Sequence, residues 1–345
     1  LPEAEGRPHR ALSLRSAVAS LRRLGETTDD DAVRQRVAAL LARLAQHPAG
    51  RSAHPDRWWG LAERTQAETP VRDLAQPLRL SGSQVSSIVS CPLQWFLDHE
   101  ARGGRGTSSA QGFGSIVHAI AAEVVAQEID PDPRQLATHL DDVWSQLEYA
   151  PWIGRREKQE ALGALERFAD WHRRNPRTVL AAERSFGVDV EVEGRTVHLS
   201  GSMDRVEVDA DGAVHVVDLK TSKNPPTDKS IAQHAQLGLY QLAVDHGAVP
   251  DAPDGGRAGG AELVQLRTDG KGTPGHPKVQ PQDAPRPDEP FFALEQLRHS
   301  VRTIADERFV ATVSESACAY CSFTHVCPAK DQGASILGRG EEEPR

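Results

Sequence analysis

The chain has almost no methionine, little cysteine and no long apolar run. Its single Met is Met203, so residue 1 is no initiator. The expectation is a chain that continues upstream in the full gene product or was cut from it. No run of about 20 apolar residues occurs, which excludes a membrane-spanning helix. The first residues lack the layout of a secretory signal, so the expected location is the cytoplasm. No G-x-x-x-x-G-K-[ST] phosphate loop occurs, so this chain by itself should not hydrolyse ATP. Excess positive charge is missing too: 40 Lys and Arg face 49 Asp and Glu, a net charge of −9. That weighs mildly against general nucleic-acid binding, although a local basic groove can coexist with a negative total. "RGGRG" (102–106) and "GRREK" (154–158) are the candidate patches, each more simply read as a solvated loop or helix face. What is present is 345 residues, 38 % hydrophobic and 26 % charged. That mix suits a globular protein with one large domain and an appendage, or two domains.

The hydrophobic period changes along the chain. Residues 11–46 read as helices rich in Ala, Leu and Arg, ended by "PDRWWGL" (55–61). A short extended piece then leads into a helix near Ser83, and a Gly/Ser/Arg loop covers 103–112. Gly114 opens an amphipathic helix with Ile116, Ile120 and Val124 at helical spacing. Helices continue from about 134 to 174. From Ala182 the period becomes two, and "EVEGRTV" and "VDADGAV" supply hairpin turns. A helix is expected at 230–246 and another from Phe291 to Val310. Between them, 250–290 reads as loop interrupted by one strand, "AELVQLR" (261–267). The expected division is a helical segment 1–79, a main domain 80–330 and a disordered tail 331–345.

"VVDLKTSK" (216–223) carries the chemistry. In a half-buried strand, Asp218 and Lys220 point one way while Leu219 points into the core. The hairpin partner is "GSMDRVEVD", and counting back across the turn sets Asp204 opposite 216–218. Two carboxylates that close repel unless a cation or proton intervenes. A divalent ion with oxygen ligands, Mg²⁺ or Mn²⁺, is the natural resolution, with the Leu219 carbonyl completing its shell. Lys220 would orient or help deprotonate a water and stabilise charge on a phosphate. A surface Asp–Lys pair is the bland alternative that "DLK" alone would favour.

"GSMDRVEV…VVDLKTSK" resembles the core of the PD-(D/E)xK nucleases, in the RecB-like exonuclease branch. "FGSIVHAIAAE" (113–123) is similar to that branch's Gly-x-x-x-His helix, whose His ligates the catalytic metal; here it is His118. "QLGLYQLAV" (236–244) is similar to its Gln-x-x-x-Tyr helix, Gln236 and Tyr240 falling on one helical face. Glu183 in "AAERSF" matches loosely a further acidic position. The resemblance covers roughly residues 80–330. It implies an α/β restriction-endonuclease-like core with a central mixed sheet flanked by helices, plus the N-terminal helical appendage. It implies a metal-dependent DNA exonuclease acting on single-stranded DNA in end processing and double-strand break repair. Asp204, Asp218 and Lys220 are then catalytic, His118, Asp204 and Asp218 ligate the metal, and Gln236 and Tyr240 position DNA or brace the site. Residues before 80 resemble the tail of the helicase portion in helicase–nucleases of AddB and Adn type, which makes a helicase region or subunit the expected partner.

Four cysteines complete the pattern: Cys318-x2-Cys321-x5-Cys327 and the remote Cys91. Two disulfides, a zinc site or an iron–sulfur site are open on spacing alone. The tight C-x2-C pair and the absence of secretory features prefer metal. The family resemblance implies a [4Fe–4S] cluster on Cys91, Cys318, Cys321 and Cys327, stapling a helix before the nuclease core to the segment after it. Two other readings fit the same residues: a non-catalytic iron–sulfur DNA-binding subunit of a helicase–nuclease complex, and a nuclease of the CRISPR-adaptation type.

Overall fold

A computed structural model describes residues 13–58, 69–104, 109–144, 151–319 and 321–331. The chain divides into two compact units, Leu1–Thr69 with Asp331–Arg345, and Pro70–Lys330. The break falls before the boundary expected near residue 80, because the residues just before 80 enter the sheet of the second unit. The expected tail lies outside the described residues apart from Asp331, as does part of "RGGRG".

The first unit is a helical pair, α1 (Leu14–Thr27) and α2 (Asp31–Ala45), followed by two 3-10 turns, Pro48–Ala53 and Pro55–Arg57. Ser13 and Asp30 cap the helices by accepting from backbone amides of their first turns, which satisfies donors that have no intrahelical partner. Val18, Val37, Leu41 and Ala53 form its small core.

The second unit runs β1 (Leu78–Leu80), α3 (Gly82–Ser90), α4 (Pro92–Trp95), α5 (Ser109–Val125), α6 (Pro133–Trp144), α7 (Pro151–Arg174), β2 (Thr178–Val192), β3 (Arg195–Val208), β4 (Val214–Lys220), α8 (Asp228–Ile231), α9 (Ala235–Asp245), β5 (Ala258–Gly270), β6 (Thr273–Gln282), α10 (Phe292–Ala305) and α11 (Glu315–Ala319). The sheet order is β1-β3-β4-β5-β6, with β2 paired to β3. β1–β3 and β4–β5 are parallel and the other pairs antiparallel, so the sheet is mixed, as expected. β2 turns into β3 through Glu193 and Gly194, both at positive φ, the type I′ geometry that matches strand twist.

Helices cover both faces. On one, α3, α9 and α10 pack on Val214, Val216 and Leu263. On the other, α5, α6 and α7 pack on Val217, Leu219, Val264 and Leu266. The alternation places Leu219 in a core and Asp218 and Lys220 together on the opposite face. β4 is not half-buried, however: it is central, covered on both sides, and Asp218 is only 2 % exposed. The expected helix over 230–246 is split into α8 and α9. The expected loop over 250–290 contains β6, a strand with Pro274, Pro277 and Pro281. Among the described residues β6 is the edge strand, paired on its β5 side alone, and a missing amide donor is tolerated at an edge.

Candidate active site

Arg205 pairs with Val217, so Asp204 sits opposite Asp218 at the end of the β3–β4 hairpin. Asp204 is held by a backbone donor: the Leu219 amide donates to its Oδ2 at 2.7 Å. Its Oδ1 is 3.5 Å from His118 Nδ1. His118 projects from α5, whose first turns pack close to the end of β4. A Cβ at Gly114 would lie 3.1 Å from Thr221 Oγ1, which gives the glycine four residues before His118 a steric reason.

Glu183 joins them from β2. Its φ is +46°, in the left-handed region that a glutamate rarely takes, and its Oε1 lies 3.8 Å from His118 Nδ1. Left-handed backbone in a strand persists where the surroundings enforce it; here it directs a carboxylate towards the other two groups. One ligand atom each from His118, Glu183 and Asp204 fall within 4.8 Å of one another. Asp218 Oδ2 is buried and makes no hydrogen bond, with the Lys220 ammonium 2.7 Å away as its ion-pair partner.

The electrostatics agree with a cation site. Burial pushes the Asp218 carboxyl up to about 6, with Lys220 opposing that rise and Asp204 adding to it. Glu183 is raised by burial and then by the Asp204 charge. Burial pulls His118 down, but the hydrogen bond and charge of Asp204, with Asp218 and Glu183, outweigh it and hold the imidazole above its ordinary value. Three carboxylates and a histidine that cannot all take their usual charge states unaided are a donor set for a hard divalent cation. The residues present therefore fit the expected ion. For Leu219, the contact seen is through its amide.

The Lys220 ammonium donates to Gln236 Oε1 at 3.1 Å. Gln236 Nε2 donates to the Tyr240 hydroxyl at 2.8 Å, and that hydroxyl donates to the Ser202 carbonyl at 3.0 Å. Tyr240 is buried, so within the site it is a brace between α9 and β3. Sequence reasoning missed His234, which caps α9 by accepting from the Leu237 amide. Burial, then the Lys220 charge, lowers it to about 4. A histidine two residues before Gln236 was the available signal.

The cysteines are four free thiols, all lining one small cavity. Cys91 ends α3 and accepts the Thr312 amide on Sγ at 3.4 Å, and the Leu93 amide donates to the Val310 carbonyl at 3.3 Å. Segments far apart in sequence thus meet at Cys91. Among the described residues the sulfurs do not form a group within 4.8 Å.

Among solved structures, one titled "Crystal structure of SSO0001" is similar at a TM-score of 0.37 and 16 % identity, over 74 % of this chain and 88 % of that one. No curated protein matches the chain. The family model of the PD-(D/E)XK nuclease superfamily matches residues 79–328, a span that begins in β1 and holds His118, Glu183, Asp204, Asp218, Lys220 and the four cysteines. With the paired carboxylates and lysine at the end of a mixed sheet, that match places the chain in the PD-(D/E)XK nuclease superfamily.

Proposed function

We propose that the protein is a Mg²⁺- or Mn²⁺-dependent exonuclease that hydrolyses single-stranded DNA during end processing and break repair, beside a helicase region or subunit. One observation carries the reading: His118, Glu183 and Asp204 bring ligand atoms within 4.8 Å of one another at the end of the hairpin where the buried Asp218 pairs with Lys220. His118, Glu183, Asp204 and Asp218 would hold the ion, with the Leu219 carbonyl as a further donor. When bound, the ion supplies Lewis-acid charge to the scissile phosphate and acidifies a water.

The chain's own groups supply the positioning. The Leu219 amide fixes the rotamer of Asp204. Asp218 and Gln236 hold the Lys220 ammonium between them, aimed as a donor at the attacking water or a phosphate oxygen. Tyr240 locks Gln236 to β3. No covalent intermediate is needed: water adds to phosphorus, the bond to the leaving sugar oxygen breaks, and positioning with charge stabilisation lowers the barrier.

The same proposal includes a [4Fe–4S] cluster on Cys91, Cys318, Cys321 and Cys327. What supports it is the placement of all four thiols on one cavity.

The test is cleavage of end-labelled single-stranded DNA with Mg²⁺, Mn²⁺ or EDTA, by wild type and Asp218→Ala. Cation-dependent release of nucleotides from an end, absent in the variant, is expected. Equal rates for the two proteins, or cleavage in EDTA, overturn the site. DNA binding without cleavage by wild type favours the non-catalytic subunit instead.

A further inference from the structure

Four glutamines are fully or almost fully buried in the second unit: Gln241 and Gln265 at 0 %, Gln280 at 2 % and Gln282 at 4 %. A buried amide is unfavourable unless its hydrogen bonds are made, and an apolar side chain of similar size carries no such penalty. Most of the bonds these four make share one destination; Gln241 Nε2 also donates to the Asp283 carbonyl at 3.3 Å, and Gln241 Oε1 and Gln265 Oε1 accept no bond among the described residues. Gln280 Nε2 donates to the Pro226 carbonyl at 3.0 Å and to Asp228 Oδ1 at 2.6 Å. Gln282 Nε2 donates to the Ile231 carbonyl at 2.6 Å and the His234 carbonyl at 3.2 Å. Behind them, Gln265 Nε2 donates to Gln280 Oε1 and Gln241 Nε2 donates to Gln282 Oε1, both at 2.9 Å.

The destination is the link between Lys220 and Gln236. Apart from the single turn of α8, residues 221–234 are neither helix nor strand, so much of this backbone cannot satisfy itself by regular pairing. Gln280 and Gln282 lie two apart on β6 and therefore on one face, and they hold the link from Pro226 to His234. The circuit also closes on the site. Lys220 is the cross-strand partner of Gln265 on β5, Gln265 bonds Gln280, and Gln280 bonds Pro226 on the chain leaving Lys220. On the other side Gln241 directly follows Tyr240 on α9.

We infer that Gln241, Gln265, Gln280 and Gln282 form a clamp that fixes the link between β4 and α9 and thereby sets Gln236 against the Lys220 ammonium. They are positioning residues for hydrolysis, touching neither metal nor substrate. The inference rests on the nuclease reading for its kinetic part; the clamp itself is a statement about structure.

The experiment uses Gln280→Met, which keeps size and removes the donor and acceptor. Its kcat on single-stranded DNA should fall about tenfold or more, as displacement of a catalytic group does. KM and Mn²⁺ affinity should stay within about twofold. In a Gln236→Leu background, where the contact with Lys220 is already lost, Gln280→Met should add almost nothing. An equal fall of kcat in both backgrounds would mean a general structural role and overturns the inference. Gln265→Met, which removes a bond one step further back, carries the same test if Gln280→Met does not fold. Amide hydrogen exchange over 227–238 is the readout independent of activity: it should accelerate about tenfold in Gln280→Met while β3 and β4 stay protected. Unchanged exchange overturns the clamp whether or not the protein cuts DNA. A wild type that cuts no DNA overturns the functional reading, and exchange still decides the clamp.

Discussion

Asp218 shows what the site is built to resist. Its carboxylate is almost completely buried beside Asp204, and burial raises it to about 6. Asp218→Ala should abolish cleavage, while the urea midpoint in EDTA stays unchanged or rises, because a desolvated charge has been removed. Lys220→Ala should still bind Mn²⁺, since it supplies no ligand, but should lose most turnover. Titration of Mn²⁺ into each variant separates the two roles. His234 gives a pH prediction. Its folded value of about 4 lies below the ordinary 6.5, so the unfolded chain binds the proton more readily. Its contribution is therefore full above about 6.5 and is lost as pH falls towards about 4. His234→Asn keeps a capping acceptor and does not titrate. Urea midpoints at pH 7 and pH 4.5 should differ less in that variant than in wild type.

At the scale of elements, α9 matters because it is packed on every side: nine of its eleven residues are buried. It meets α10 through Gly238, where a Cβ would come 2.6 Å from Phe292 Cζ and 2.8 Å from Ala293 Cβ. Alanine gains up to about 1 kcal/mol over glycine in an open helix. Here overpacking wins, and Gly238→Ala should destabilise by about 1–3 kcal/mol in urea unfolding. A buried ionic group anchors the C-terminal end of α7: Arg205 pairs with Glu207 and lies 2.7 Å from His172 Nδ1. Asn175 and Arg177 reach Glu207 from the chain just after the helix. Arg205 adjoins Asp204 in sequence but, by alternation, faces the opposite side. Much of this level was legible beforehand. The hairpin and the Gln-x-x-x-Tyr helix lie where their spacing put them, and so does the Gly-x-x-x-His helix, except that it begins at Ser109, inside the expected loop over 103–112, and not at Gly114. β6 was not legible, because three prolines read as loop unless one knows that the strand is at an edge.

In the second unit, helices on both faces leave the candidate site residues at one end of central strands. With a total charge of −9, the single-stranded DNA proposed as substrate would need a locally basic path. Its affinity should fall steeply as salt rises through release of counterions; fluorescence anisotropy from 50 to 300 mM salt that shows no slope would point away from a DNA substrate. The proposed cluster spans most of the chain. Anaerobically purified protein should be brown, and Cys91→Ala and Cys321→Ala should each bleach it and lower the melting temperature by similar amounts, since both break one staple. A colourless protein with one stoichiometric zinc would replace the cluster and keep the staple.

The sequence alone determined the residue types of the candidate site and their order: His118, then Asp204, then Asp218 and Lys220, then Gln236 and Tyr240. Strand alternation set Asp218 and Lys220 on one face, and hairpin counting set Asp204 opposite Asp218. Those are local rules of period and turn, readable without long-range contacts. Tertiary structure decided what depends on burial and on distant segments. It made β4 central, and so shifted Asp218. It brought Glu183 into ligand range through a left-handed backbone that no short pattern encodes. It gathered Cys91 and the C-terminal trio around one cavity, and it tied residues 221–234 to β6 through buried glutamines that, in sequence, look like ordinary surface residues. Burial and cross-strand proximity arise only when the whole sheet closes, and for that reason these features could not be read along the chain.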